Sequence, residues 1–183
     1  MSANLYDELK SLVGKEGAPT TGPDAVCRQM IRHWCEAMED ANPLYTDESF
    51  AKKSGFQNIV SPPAMTPTWS WGPVWPNGQE TRYRWPEKLP RQEQADPAGA
   101  AFDQLNEAGF VGTVDLDSTM EFIRPLYPGY RVTARTKLAN VTAEKKTRLG
   151  NGYFLTYSIT YTNQDGDPVC YQTLTIFKFK PVM

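Results

Sequence analysis

Side chains able to move a proton are few in this chain of 183 residues, and one type is nearly missing. There is a single histidine, His33, so the commonest general base and metal ligand is almost absent. Three cysteines, Cys27, Cys35 and Cys170, leave at least one unpaired and form no C-x-x-C or Cys/His cluster. That argues against a disulfide framework or a zinc site, so they read as reduced thiols and no metal is expected. Asp40, Asn42 and Tyr45 lie close together in the phrase Glu39-Asp40-Ala41-Asn42-Pro43-Leu44-Tyr45. A carboxylate can hold or activate water, but a tyrosine with an ordinary pKa of about 10 is about three to four units from the near-neutral value suited to a general base. Asp and Asn also cap helix ends and fix loops, so a structural and a chemical role both stay open for Asp40 and Asn42. Arg82, Arg84, Lys88 and Arg91 gather in one stretch; they could grip phosphates, although loop charges are usually only solvated.

Composition narrows the partners. Nineteen Lys plus Arg against 21 Asp plus Glu give a formal net charge of -2, which lacks the basic footprint of a nucleic-acid-binding domain. No apolar run approaches the roughly 20 residues needed to cross a bilayer, and the polar start MSANLYDELKSLVGKEG lacks the apolar middle of a secretory signal. A cytoplasmic protein without nucleic-acid or membrane contacts is expected. With 40% apolar residues, the length suits one domain over 1–183.

The elements that must position these residues divide into helices first and strands last. Val26, Met30, Ile31, Trp34, Cys35 and Met38 fall at helical spacing from Asp24 to Met38, with Asp24 as the expected N-cap and Pro43 ending the helix near Asp40. His33 lies off that apolar stripe and reads as an exposed helical residue. A loop is expected to carry Glu39–Tyr45, followed by a short helix from the capping run Thr46-Asp47-Glu48-Ser49 to Gly55. Ser61-Pro62-Pro63 should open another helix, with Met65–Trp71 as its apolar start. From 66 to 112 the chain holds Trp69, Trp71, Trp75 and Trp85 among many prolines, which predicts a long aromatic and proline-rich insertion, with one helical turn over Phe102–Ala108. Its tryptophans suit either a core or the lining of a tunnel or subunit interface.

Four strands should follow, over Thr113–Arg124, Arg131–Val141, Gly152–Asn163 and Val169–Lys180, with the hairpin signal Asp165-Gly166 between the last two. Lys178 and Lys180 alternate with Phe177 and Phe179, as a strand with one wet face requires. The order predicts an α+β fold, helices packed on one face of an antiparallel meander.

Asp40-Ala41-Asn42-Pro43-Leu44-Tyr45, together with Glu121-Phe122-Ile123-Arg124-Pro125-Leu126-Tyr127-Pro128-Gly129, resembles the MaoC-like hot-dog hydratases and dehydratases that act on enoyl thioesters. Five positions of six match the family signature of Asp, any residue, Asn, Pro, an aliphatic residue and His; Tyr45 stands where His is expected. The resemblance implies an antiparallel sheet wrapped around a central helix, dimers joined edge to edge, and an acyl-CoA tunnel at the interface. It implies no cofactor, a CoA thioester being the substrate. In active members the Asp and His share a water aimed at Cβ, and a His-Gly pair opens the central helix with an N–H directed at the thioester oxygen. Here Ser61-Pro62-Pro63-Ala64 occupies that region, and proline has no N–H to donate.

The Ser-Pro-Pro form is similar to noncatalytic halves and subunits of the family, in which an interrupted central helix makes room for a bulky acyl group. The long insert and the ending Thr173–Pro181 look most like the MaoC-like domain of the larger subunit of a steroid side-chain enoyl-CoA hydratase, a type that often continues into an OB-fold domain. The resemblance therefore implies a noncatalytic subunit that partners a catalytic hot-dog chain carrying Asp and His. Ser61, Pro62, Pro63, Met65, Trp69, Trp71, Arg82 and Arg84 are the expected substrate-binding residues. Two alternatives stand beside it: a self-sufficient homodimer using Asp40 and Tyr45, and a nonenzymatic acyl-CoA-binding or scaffolding module that docks a thiolase or aldolase.

Overall fold

The structure, a computed structural model, describes residues 2–72 and 97–182. Its sheet is antiparallel throughout and is built from β1 (Thr20–Thr21), β2 (Gly112–Phe122), β3 (Thr133–Val141), β4 (Lys145–Lys146), β5 (Gly150–Thr162) and β6 (Pro168–Pro181). The spatial order is β1-β3-β5-β6-β2, with β4 paired to β5 off this path. The four long strands fall where period-two patterning placed them. Only β3-β5-β6 run as a meander, however: β2 pairs with β6 at the opposite edge from β3, which corrects the simple meander order. Strand patterning reports which face is buried but not which strand lies beside which.

Alternation on β5 sets the inner face. Tyr153, Leu155, Tyr157 and Tyr161 are all buried, because successive side chains of a strand point to opposite faces. The β5–β6 turn is held by Asn163, whose Oδ1 accepts the N–H groups of Asp165 and Asp167, and Gly166 takes the left-handed φ of 84° that glycine adopts without steric cost.

Helices cover the inner face in two pieces. Towards one end, α2 (Arg28–Met38) and a 3-10 helix over Pro63–Ser70 pack with Val132, Tyr161 and Cys170. Towards the other, α1 (Ser2–Ser11) and α5 (Pro97–Glu107) enclose Leu9, Ala101, Leu105 and Leu138. The described helices on this face thus form two groups; Trp75, Trp85 and the middle of the expected 66–112 insertion lie outside the described residues. Several local expectations need correction. The sequence reading contained no α1, although Leu5, Leu9 and Leu12 have helical spacing. α2 begins at Arg28 with Cys27 as N-cap, not at Asp24, because Val26 N–H is taken by Tyr130 O at 2.8 Å. The helix after Pro63 is a 3-10 helix, and Pro67 inside it removes a backbone donor that an α-helix would need. α5 runs three turns rather than one.

Lys178 also departs from expectation. It is 1% exposed, and Nζ donates to Asn106 Oδ1 at 2.7 Å and Thr113 Oγ1 at 2.9 Å while lying 3.9 Å from the Phe102 ring centroid. α5 covers the face of β6 that alternation alone assigns to water, and the ammonium finds a polar and aromatic seat beneath it.

Candidate functional site

The end of α2 aims the signature residues. Glu39 adopts φ 53°, and the N–H groups of Glu39 and Asp40 both reach Cys35 O, so the chain leaves the helix abruptly. Asp40 Oδ1 then accepts the N–H of Asn42 at 3.0 Å, and Asn42 Oδ1 accepts that of Leu44 at 3.0 Å. This second bond caps α3 (Pro43–Thr46), with Pro43 at its first turn. Pro43–Tyr45 is therefore helical where a loop was expected. Asp47 ends α3 and caps α4 (Glu48–Lys53) through Phe50 N–H.

Two backbone bonds join this turn to its neighbours. Val60 N–H donates to Leu44 O at 2.9 Å, and Ser61 N–H donates to Leu126 O at 2.8 Å. The three segments enclose a cleft of about 260 Å³ whose walls include Tyr45, Val60, Ser61, Pro63, Ile123 and Leu126. Tyr45 stands between it and a second hollow lined by Arg28, Arg32 and Ile59. Burial, and then the nearby Asp40 carboxylate, push the Tyr45 phenol above its ordinary pKa, with Asn42 opposing. The Cys35 thiol is raised by the same two causes in the same order. A phenol so placed keeps its proton at neutral pH and can donate a hydrogen bond; it cannot deprotonate water.

Sequence-predicted residues divide around this cleft. Ser61 and Pro63 line it, and Tyr45 joins them. Pro62 directs the chain into the 3-10 helix with ψ 128°, while Met65 is buried in the core. Trp69 and Trp71 line a separate groove of about 480 Å³ with Pro23, Cys27, Met30 and Thr68; Trp69 is 6% exposed and Trp71 66%. Arg82 and Arg84, with Lys88 and Arg91, lie outside the described residues. His33 is not among the cleft-lining residues: its side chain is 59% exposed on α2, with Nδ1 3.3 Å from Glu36. The sequence reading did not assign Phe56, Val60, Thr66, Ile123 or Leu126 to the site. Ile123 and Leu126 belong to the Phe-x-Arg-Pro segment, which the family resemblance marked as a strand end with no sign of what it faced.

Comparison with known proteins places this geometry. Residues 11–172 match the FAS1-like dehydratase domain region. The chain belongs to this family. Within the FAS1-like dehydratases, it is 34% identical over 183 residues to a probable enoyl-CoA hydratase alpha subunit of Thermomonospora curvata, covering 99% of this chain and 54% of that protein. It is 32% identical over 166 residues to the 3-oxo-4,17-pregnadiene-20-carboxyl-CoA hydratase alpha subunit of Mycobacterium tuberculosis, covering 89% of this chain and 48% of that one. The chain thus spans about half the length of the curated relatives it matches. Among solved structures, a chain of the ChsH1-ChsH2 complex from Mycobacterium tuberculosis superposes with a TM-score of 0.81 at 28% identity, covering 99% of this chain and 94% of that chain. The hot-dog architecture of the MaoC-like FAS1 dehydratases is therefore the architecture here.

Proposed function

We propose that this FAS1-like dehydratase chain is the noncatalytic, acyl-accommodating subunit of a heteromeric enoyl-CoA hydratase. One observation carries the reading: Tyr45 fills the cleft position at which the family signature has histidine, and the only imidazole of the chain is on the exposed side of α2. The partner would be a hot-dog subunit bringing its own Asp and His to the water, while this chain contributes the Tyr45 cleft as part of the acyl binding surface. Pro62 and Pro63 support the same division of labour, since neither can offer an N–H to a thioester oxygen. Likeness to alpha subunits of hydratases, one of them named for a steroid carboxyl-CoA, supports a bulky and polycyclic acyl group.

The long strand β2 is the natural seam for the partner. Among the described residues it is a sheet edge, and Leu116 and Phe122 on it are 50% and 47% exposed. An edge of that length with apolar side chains is a template for pairing with another chain.

Hydration of crotonyl-CoA and of a steroid side-chain enoyl-CoA by the chain alone, by a hot-dog subunit with intact Asp and His alone, and by the mixture tests this. Turnover by the mixture well above either component is expected; robust turnover by this chain alone would overturn it in favour of a self-sufficient homodimer. Thioester binding with no hydration in any mixture would favour the acyl-CoA-binding module that docks a thiolase or aldolase.

A further inference from the structure

Two hollows meet at one element. The 3-10 helix Pro63–Ser70 turns Pro63 and Thr66 towards the Tyr45 cleft and Thr68 and Trp69 towards the groove beside Met30. Through that wall Trp69 Nε1 donates to Ser61 Oγ at 2.9 Å. Both side chains are buried, and Ser61 faces the cleft. The indole therefore stands between the two spaces, tied to the cleft lining by its only polar group.

The wall is held by side chains as much as by backbone. Short 3-10 helices have poor hydrogen-bond geometry, and Pro67 removes one more donor. The hydroxyls of Thr66, Thr68 and Ser70 compensate by donating to the carbonyls of Pro63, Met65 and Pro67 at 2.7, 2.7 and 2.9 Å. From behind, Gly22 lies so close that a Cβ there would stand 1.9 Å from Trp69 O. Close packing of Gly22 fixes the Trp69 backbone, and the Ser61 bond orients the indole.

We propose that Trp69, latched to Ser61, is the specificity-determining stop of the acyl site: standing behind the Ser61 lining of the cleft of about 260 Å³, it shuts that cleft off from the groove of about 480 Å³ that Trp69 itself lines. This rests on the reading of the cleft as an acyl-CoA site. An acyl group seated beside Tyr45 extends along the open cleft, towards the partner, and does not penetrate the groove beside Met30 and Trp71. Width is accommodated and length into this subunit is refused.

Calorimetric titration of the full chain with the saturated, unreactive thioesters butyryl-CoA, octanoyl-CoA and dodecanoyl-CoA tests the stop. For the native chain, affinity should level off between octanoyl and dodecanoyl. Trp69→Ala joins the two hollows, so dodecanoyl-CoA should bind at least about tenfold tighter than to the native chain, the gain expected from burying only a few further methylenes, with a smaller change for butyryl-CoA than for dodecanoyl-CoA. Ser61→Ala, which frees the indole with little loss of volume, should give a smaller gain of the same sign and carries the test should Trp69→Ala fail to fold. An unchanged length profile in both variants overturns the stop while leaving the acyl-CoA site standing. Absence of binding of any thioester to the native chain overturns the site and the stop together.

Discussion

The phenol of Tyr45 shares a short stretch of chain with a carboxylate that makes its ionisation harder. Burial and Asp40 both raise its pKa, so the group able to replace the missing imidazole is held in its inert form. Tyr45→His should restore the acid–base pair of the signature without restoring a donor at Pro62 or Pro63. Hydration by the variant chain alone should become measurable yet stay about 10²–10³-fold below that of the reconstituted mixture, since one oxyanion donor is commonly worth about that much. Steady-state rates with crotonyl-CoA check it; a variant as fast as the mixture would show that the proline pair is no handicap. Glu39 is a second single-residue test. Its left-handed φ of 53° costs a residue with a Cβ about 1–2 kcal/mol, so Glu39→Gly should stabilise the chain by about 1 kcal/mol, read from the denaturation midpoint.

Among the elements, the strands and the α2 stripe were legible because alternation and helical spacing are properties of the chain itself. The cleft was legible only in part. Tyr45, Ser61 and Pro63 stand out by type or by the family signature, whereas Ile123 and Leu126 reach the site through the strand neighbours of a sheet whose order no local pattern encodes. Lys178 was misread for the same reason: α5, whose Asn106 lies 72 residues earlier, covers the face that alternation leaves to solvent. The ammonium now joins α5 to β2 and β6 through Asn106 and Thr113. Lys178→Met keeps most of the volume but leaves both oxygens without this donor, and should cost about 2–4 kcal/mol of stability, measurable by urea unfolding.

For the whole molecule, two properties set how it behaves in solution. The first is the β2 edge. Leu116 lies at the bulge where the β2–β6 register shifts between Asp115 and Asp117, and a charge there opposes pairing of a second sheet. Leu116→Lys should weaken association with the proposed catalytic partner about tenfold or more in sedimentation experiments while leaving the melting of the isolated chain nearly unchanged. The second is its response to alkali. Burial, aided by Glu121, pushes the Cys170 thiol up to about 11 from 9.0, and burial raises the Tyr161 phenol as well. Unfolding returns both groups to their ordinary values, so above pH 9.0 the unfolded chain releases protons that the folded chain retains. The stabilisation is complete below that pH and disappears as pH climbs through the folded values. Melting temperature should therefore be level near neutrality and fall above about pH 9, and Cys170→Ala should flatten part of that fall.

The position of β6 has a consequence for synthesis. Of the elements described it is the last to leave the ribosome, yet it lies between β5 and β2. β2, completed at Phe122, must wait until Pro168 and beyond for its only sheet neighbour among the described residues. During that interval its backbone donors and acceptors are bare along both sides, and closing the long loop is a slow step. On the proposed heteromeric reading, early capture by the partner subunit best protects a nascent chain in this state, which makes the timing of that encounter, as much as its affinity, a condition for recovering the complex.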